Sequence, residues 1–523
     1  MKKEYLNRMF TLMTRKRSES FALLLAASLT AFSVTNVGSV ARADSKSNTV
    51  NVGISADIDK LDPQLSTNFS TVRILGLVYS ELVETNPQLQ VVPGLAKSWY
   101  WNSDSTQLRL YMRSGVKFHD GSPFTAADAK ASLDRIANPA TGAVARANMS
   151  LVTSVTASPD GGILTINFSA PDAPFLASLD GPNMAMLSKK DIAAGLIGKK
   201  VNGTGPYKFV SWTPGQTIKL TTNANYYEKV PSVAGINFQV IPSESSILAA
   251  MNAGTIDFAY VGDPLVAKQV GSNLTLYKQT SLSYHVLQLN ATKAPLNNVN
   301  VRLAIQCAID RQQVVDTAAL GEGNITGPFT MPAYKSDTSA QPCPTANIVK
   351  AKAYLKAGGF PNGLTLPVMT EGGEYALATP IAESIKAQLA LAGINMQITA
   401  LDAATYIPKW LAGDFVAAVA NNGGKVDPDT MYTRYFTSTG NLNKVAGYSS
   451  PTLDALFLQG KSTGNVSKRQ KIYAKITQEL VNNAAWVWLF TPYDYYISSK
   501  NLIGYTPNPN GSLLELRNVK FTS

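Results

Sequence analysis

Between Leu364 and Ala420 short apolar runs alternate with helical ones, and each helical run stops at a glycine. Leu364–Met369 reads as a strand, Ala376–Ala392 as a helix stopped by Gly393, and Ile394–Ala400 as a second strand. Thr405–Ala412 reads as a helix stopped by Gly413, and Phe415–Ala420 as a third strand. Strands separated by helices enter one sheet through crossovers, so this segment predicts a mostly parallel sheet covered by helices. Ligands of such sheets bind beyond the strand ends, which directs attention to the loop 421–429, Asn-Asn-Gly-Gly-Lys-Val-Asp-Pro-Asp.

The first 43 residues read as an export leader. Lys2, Lys3, Arg8, Arg15, Lys16 and Arg17 give a basic start, Phe21–Phe32 a short apolar run, and Ala41-Arg42-Ala43 a small-x-small cleavage pattern. The apolar run is too short for a permanent anchor, which is the alternative reading. Arg15-Lys16-Arg17 lacks the adjacent arginine pair of twin-arginine export, and no cysteine near the cleavage point supports a lipid anchor. The expectation is a free periplasmic protein. Cleavage after Ala43 would remove seven Lys/Arg and two Glu and leave 480 residues, about +6 of the full chain's +11. That length exceeds one core and suits two or three lobes. The charge is mild and no dense basic block interleaves with aromatics, so nucleic-acid binding is excluded.

Catalytic and metal chemistry find little support. There is no Gly-x-Ser-x-Gly and no His-Glu-x-x-His, and a histidine base would have to be His119 or His285. Gly460-Lys461-Ser462 looks like the end of a phosphate loop, but Ala455 stands where its first glycine belongs. Carboxylates are plentiful enough that inventory alone leaves a secreted glycosidase open. His119 has no second ligand at metal spacing and reads as a turn residue. Cys307 and Cys343 could pair in an oxidising compartment, with two separate thiols as the alternative. Cys307 is expected to point away from the apolar face Val301, Ala304, Ile305, Ala308 and Ile309 of its helix, toward the Pro-rich loop of Cys343.

In chain order, Val50, Val52 and Ile54 alternate as a strand before Leu61-Asp62-Pro63, and Val72–Glu84 reads as a helix. Leu108–Met112 and Ile163–Phe168 alternate as half-buried strands, with Thr125 and Asp128 forming a capping box between them. Leu187–Gly198 reads as a helix. Gly203-Thr204-Gly205-Pro206 launches a hairpin, Tyr207–Trp212 and Thr217–Thr221, turned by Thr213-Pro214-Gly215-Gln216. Gly321–Asn347 lacks periodicity and reads as a long functional loop.

The wording of Gly203–Tyr227 and of Arg113–Asp128 resembles the family 5 (cluster C) extracellular solute-binding proteins of ABC importers. So do Leu-Asp-Pro at 61–63, Gly-Phe-Pro-Asn-Gly at 359–363 and the aromatic run Trp486–Ser498. The resemblance covers essentially all of the exported chain. It implies an α/β, two-lobed periplasmic binding protein-like fold of type II with an extra small subdomain in lobe one. The implied spans are 44–85 and 203–283 for lobe one, 86–202 for the subdomain, 284–490 for lobe two, and 491–523 for the return into lobe one. It implies a monomer without cofactor that captures a peptide or peptide-like solute and hands it to membrane permease subunits. An oligosaccharide, opine or metal chelate is the alternative ligand.

Asn68, Tyr260, Tyr284, His285, Asn421, Asn422, Gly423, Trp488 and Tyr493 fall where that family places its cleft. Two anchors of its dipeptide-binding branch are replaced. The position that pairs with a ligand ammonium falls on Gly424, and the arginine for the ligand carboxylate on Thr379 or Pro380. A free dipeptide should therefore bind weakly, and a hydroxyl- or amide-rich ligand or a longer peptide is expected, unless Lys425, Asp427 or Asp429 anchors from a shifted loop.

Overall fold

Strand Trp486–Ser499, rich in aromatic and β-branched residues, is buried along nearly its whole length and runs through both halves of the molecule. Its first half pairs antiparallel with Tyr284–Leu289, placing His285 opposite Phe490 and Gln288 opposite Trp486. Its second half pairs antiparallel with Leu274–Thr280 and Phe258–Val261. One half-sheet continues through Ala417–Asn422, Leu364–Glu371 and Ile394–Leu401, and the other through Thr49–Ile54, Gly235–Val240, Thr217–Thr222 and Tyr207–Thr213. The fold is two-lobed, and the computed structural model describes residues 48–373 and 375–522 of it. The leader and its cleavage after Ala43 lie outside them. Among the described residues no helix is long and apolar enough to cross a membrane.

The rhythm of lobe two produces the sheet it requires. Leu364–Glu371 pairs in parallel with both Ile394–Leu401 and Ala417–Asn422. Helix Ala378–Leu391 buries Ile381, Ile385 and Leu389 in the same core as Leu366, Val368 and Ile394. A separate antiparallel sheet, Ala96–Trp101, Gln107–Met112, Ile163–Phe168 and Val152–Ala157, builds the small subdomain. Its inward face, Leu108, Leu110, Leu164 and Ile166, is fully buried under helix Ala126–Ala137. That helix carries the expected capping box of Thr125 and Asp128.

His119 and the glycines that launch the hairpin form one joint. The imidazole Nδ1 accepts from the Gly203 N–H at 3.3 Å, and Nε2 donates to the Gly205 carbonyl at 3.2 Å. Burial pushes this imidazole down to about 4, so it stays neutral and can play both roles. A Cβ on Gly203 would sit 2.0 Å from the Val78 carbonyl oxygen, which is why that position carries no side chain.

Three local expectations change. The helix expected over Val72–Glu84 is Phe69–Leu75. Leu77 and Val78 beyond it turn their carbonyls to the Tyr207 and Gly205 N–H groups, and Val83–Thr85 is a strand. The helix expected over Leu187–Gly198 shortens to Lys189–Ala193. The loop 321–347 contributes strand Gly323–Ile325, which pairs with Phe490–Pro492. Cys307 is fully buried in the core cluster that also holds Val301, Ala304, Ile305, Ala308 and Ile309, so the side of the helix that carries it is covered as well. It is bonded there to Cys343, with the Cα atoms 5.0 Å apart.

Candidate ligand-binding cleft

A cleft opens between the lobes beside the crossing strand. Two adjoining cavities, about 160 and 90 Å³, share Phe69, Val72, Val144, Asn183, Gly423, Lys425 and Arg434 in their walls. Lobe one contributes helix Phe69–Leu75 and the turn Asp180-Gly181-Pro182-Asn183. Lobe two contributes the loop from Asn421 to Val426 and helix Pro428–Phe436. Tyr375, Tyr406, Ile407, Trp410 and Tyr435 give the smaller cavity an aromatic wall.

Asn421, Asn422 and Gly423 lie in this wall. Asn421 Oδ1 is buried without a hydrogen-bond partner, while Asn422 Nδ2 donates to the Tyr284 hydroxyl at 3.2 Å. The other sequence candidates stand away from the cavities. Asn68 is buried as the cap of helix Phe69–Leu75, its Oδ1 accepting from the Thr71 N–H at 2.8 Å. Tyr284 and Trp488 belong to the lobe-two core, where Trp488 Nε1 donates to the Tyr432 hydroxyl. His285 stacks on Phe490 at 4.9 Å between ring centroids, and burial holds its imidazole down near 3. Tyr493 packs under Lys278, 4.0 Å from its ring centroid. Tyr260 donates to Asp494 at 3.0 Å and carries the Arg73 guanidinium 3.8 Å above its ring.

Charges line the larger cavity, and of them only Lys425 is among the charged anchors that the sequence offers. Glu84 and Glu515 are held by Arg517, and Asp494 by Tyr260. Arg73 donates to the Gly511 carbonyl at 3.1 Å. Glu81, Asp180, Lys425 and Arg434 remain without an ion pair within 4 Å among the described residues. Glu81 is 4% exposed, and burial, with Asp180 and Glu84 nearby, pushes its carboxyl well above the usual range. Burial likewise raises Asp180 and, with Arg434 beside it, lowers Lys425. Charged groups thus reach the larger cavity from other elements, beside the neutral Asn421, Asn422 and Gly423 of the smaller one. Glu81 left one signal, as a lone acid inside the apolar run Leu77–Val83. Asp180 and Arg434 left none.

Gly424 supplies no anchor because nothing larger fits. A Cβ there would lie 1.9 Å from the Leu282 carbonyl oxygen. Asp427 and Asp429 face other partners, Asp427 in a bidentate pair with Arg469 at 2.7 and 2.8 Å. Asp429 meets the buried Lys461 ammonium at 3.3 Å, and Asp172 of the small subdomain approaches the same ammonium at 3.9 Å. This cluster is a contact across the lobes, as are the bonds from the Ala173 N–H to the Lys461 carbonyl and from Asn441 Nδ2 to the Ala143 carbonyl.

The profile of the bacterial extracellular solute-binding proteins, family 5, matches residues 90–443. The chain belongs to that family. As a family-5 protein it is the solute-capturing component of an ABC importer and works with permease subunits in the membrane. The glutathione-binding protein GsiB of Pectobacterium atrosepticum is 26% identical over 485 residues, covering 88% of this chain and 91% of that one. GsiB of Escherichia coli K12 is 26% identical over 488 residues, covering 88% and 92%. Among solved structures, AgaA of A. tumefaciens R10 with agropinic acid superposes at TM-score 0.84 and 25% identity, covering 91% of this chain and 99% of that one. DppA of Helicobacter pylori with the peptide STSA superposes at 0.82 and 25%, covering 90% and 98%.

Proposed function

We propose that this family-5 protein captures a peptide or peptide-like, amino-acid-derived solute in the interlobe cleft and releases it unchanged to its permease. The observation that carries this reading is the mixed-sign lining of one cleft, with Glu81, Glu84, Asp180, Asp494, Glu515 and Arg73 from lobe one and Lys425 and Arg434 from lobe two. Such a lining suits the termini and amides of amino-acid chemistry better than the hydroxyls of a sugar. Relatives named for glutathione and structures holding agropinic acid or a peptide support the same class. The leader is removed after Ala43, and the exported chain acts in the periplasm. Among the described residues no cluster of His, Cys, Asp and Glu is placed to hold a metal.

Calorimetry with dipeptides, an oligopeptide pool, glutathione, an opine and neutral oligosaccharides tests the class, and small-angle scattering with the tightest binder tests closure. Binding of an amino-acid-derived probe with compaction, and no product after prolonged incubation, is the expected result. Exclusive binding of an oligosaccharide, or turnover of any probe, would overturn it.

A further inference from the structure

Charged side chains in the larger cavity divide into satisfied and unsatisfied groups. Arg517 holds Glu84 and Glu515, while Asp494 accepts from the Tyr260 hydroxyl at Oδ1 and keeps only its buried Oδ2 without a partner. Four groups have no such arrangement. Glu81 is almost fully buried, lines the cavity, and has Oε1 without a hydrogen-bond partner. Asp180 is its strongest charged neighbour. Across the cleft, Arg434 has a buried Nε without a partner, its guanidinium resting 4.7 Å from the Tyr435 ring centroid. Lys425 makes no hydrogen bond or ion pair with the described residues, although its ammonium stands beside Gly181, next to Asp180.

A buried polar group left without a partner is unfavourable, so a cleft carrying an unpartnered acid on one lobe and an unpartnered base on the other is complementary to a molecule with both signs. Were the acids built to satisfy Lys425, it would close an ion pair with one of them, and it does not. Internal neutralisation therefore leaves a carboxyl on lobe one and a guanidinium on lobe two without partners.

We propose that the ligand is a zwitterion held across the lobes, its cationic nitrogen on Glu81 and Asp180 of lobe one and its carboxylate on Arg434 of lobe two, with Lys425 between them. This rests on the interlobe cleft being the ligand site. It places the cationic end on lobe one, whereas the loop position at Gly424 on lobe two has no room for any side chain. Arg434 lies in the walls of both cavities, so the carboxylate sits where they join, with the Asn421 side-chain Oδ1 available to a donor on the same arm.

The test uses the full exported chain and matched probes: free amino acids, dipeptides and glutathione, each with its N-acetylated and carboxamide counterparts, and maltotriose as a neutral probe. Calorimetry should find a zwitterion whose N-acetyl and carboxamide forms each bind at least about tenfold more weakly, one tenfold step being about 1.4 kcal/mol. Glu81→Gln should abolish the discrimination between free amine and N-acetyl forms, and Arg434→Gln that between acid and carboxamide. If either variant fails to fold, the matched probes on the unaltered protein still decide. Derivatives binding within threefold of the parent, tight binding confined to maltotriose, or no zwitterion binding at all would each overturn the proposal. Tight binding of maltotriose or a purely anionic probe with compaction would leave solute capture in the cleft standing. Absence of binding by every probe would remove both.

Discussion

Asp172 offers a quantitative test of the contact between the small subdomain and lobe two. Its carboxyl is 2% exposed and stands 3.9 Å from the Lys461 ammonium, with Asp429, and Asp427 paired to Arg469, behind it. Burial outweighs the attraction of Lys461 and lifts the group to about 7 from an ordinary 3.8. The folded protein thus holds this proton more tightly than the unfolded chain. The contribution to stability is present at low pH and is lost as pH rises from about 4 through 7. A displacement of about three units corresponds to about 4 kcal/mol between the limits, at about 1.4 kcal/mol per unit. Asp172→Asn keeps the shape and cannot ionise. Urea titrations followed by tryptophan fluorescence at pH 5, 6.5 and 8 should show the variant gaining on the parent by roughly 2–4 kcal/mol across that range. Other buried acids titrate in both proteins, so only the difference is read. Parallel pH profiles, or a parent that gains on the variant as pH rises, would refute the reasoning.

The chain's two histidines make nuclear magnetic resonance titration direct. His119 should protonate near 4 and His285 near 3, and stability tied to their neutral forms should be lost as pH falls below about 6.5; an imidazole titrating near 6.5 would contradict its burial. Gly424→Ala forces a methyl against the Leu282 carbonyl, whose residue is fixed by the bond from its N–H to Pro509. Denaturation should show a loss of about 1–3 kcal/mol, and an unchanged midpoint would mean that the loop yields freely. Cys307 and Cys343 close a loop with a sequence separation of 36, so the Cys307→Ala/Cys343→Ala protein should lose about 3–4 kcal/mol in the same assay; equal stability would show that the helix and loop hold each other without the bond.

The parts of the fold that the sequence makes legible are those with a strict local period. The lobe-two rhythm, the 207–222 hairpin and the aromatic strand from Trp486 each state their face and length in their own residues. The short helix at Phe69 is harder, because Leu77, Val78 and Leu82 continue an apolar pattern after the helix has stopped. What ends it is distant: the carbonyls of Leu77 and Val78 are claimed by Tyr207 and Gly205. The cleft is less legible still. Its loop Asn421–Lys425 follows a strand end and could be read, but Glu81, Asp180 and Arg434 come from three other segments. The aromatics that drew attention at Tyr284 and Trp488 are large enough to fill the core behind that wall, and they do.

Charged anchors on opposite lobes also follow from what closure requires. A ligand shifts an open–closed equilibrium only by its difference in affinity for the two states, so contacts made to one lobe alone shift nothing. Moving a population from 1:99 to 99:1 takes about 5.5 kcal/mol, whereas a dissociation constant of 1 μM corresponds to about 8. Neutral hydrogen bonds, at about 1 kcal/mol each, would have to be numerous on both sides to supply that difference. Bonds to charged groups contribute about 1.5–3 kcal/mol each, so one ionic anchor per lobe with two bonds apiece reaches the required scale. Such a ligand would also meet the two groups the protein leaves without partners, the Glu81 carboxyl on lobe one and the Arg434 Nε on lobe two. Under the zwitterion proposal, one anchor on each lobe therefore makes closure depend on a ligand that carries both signs.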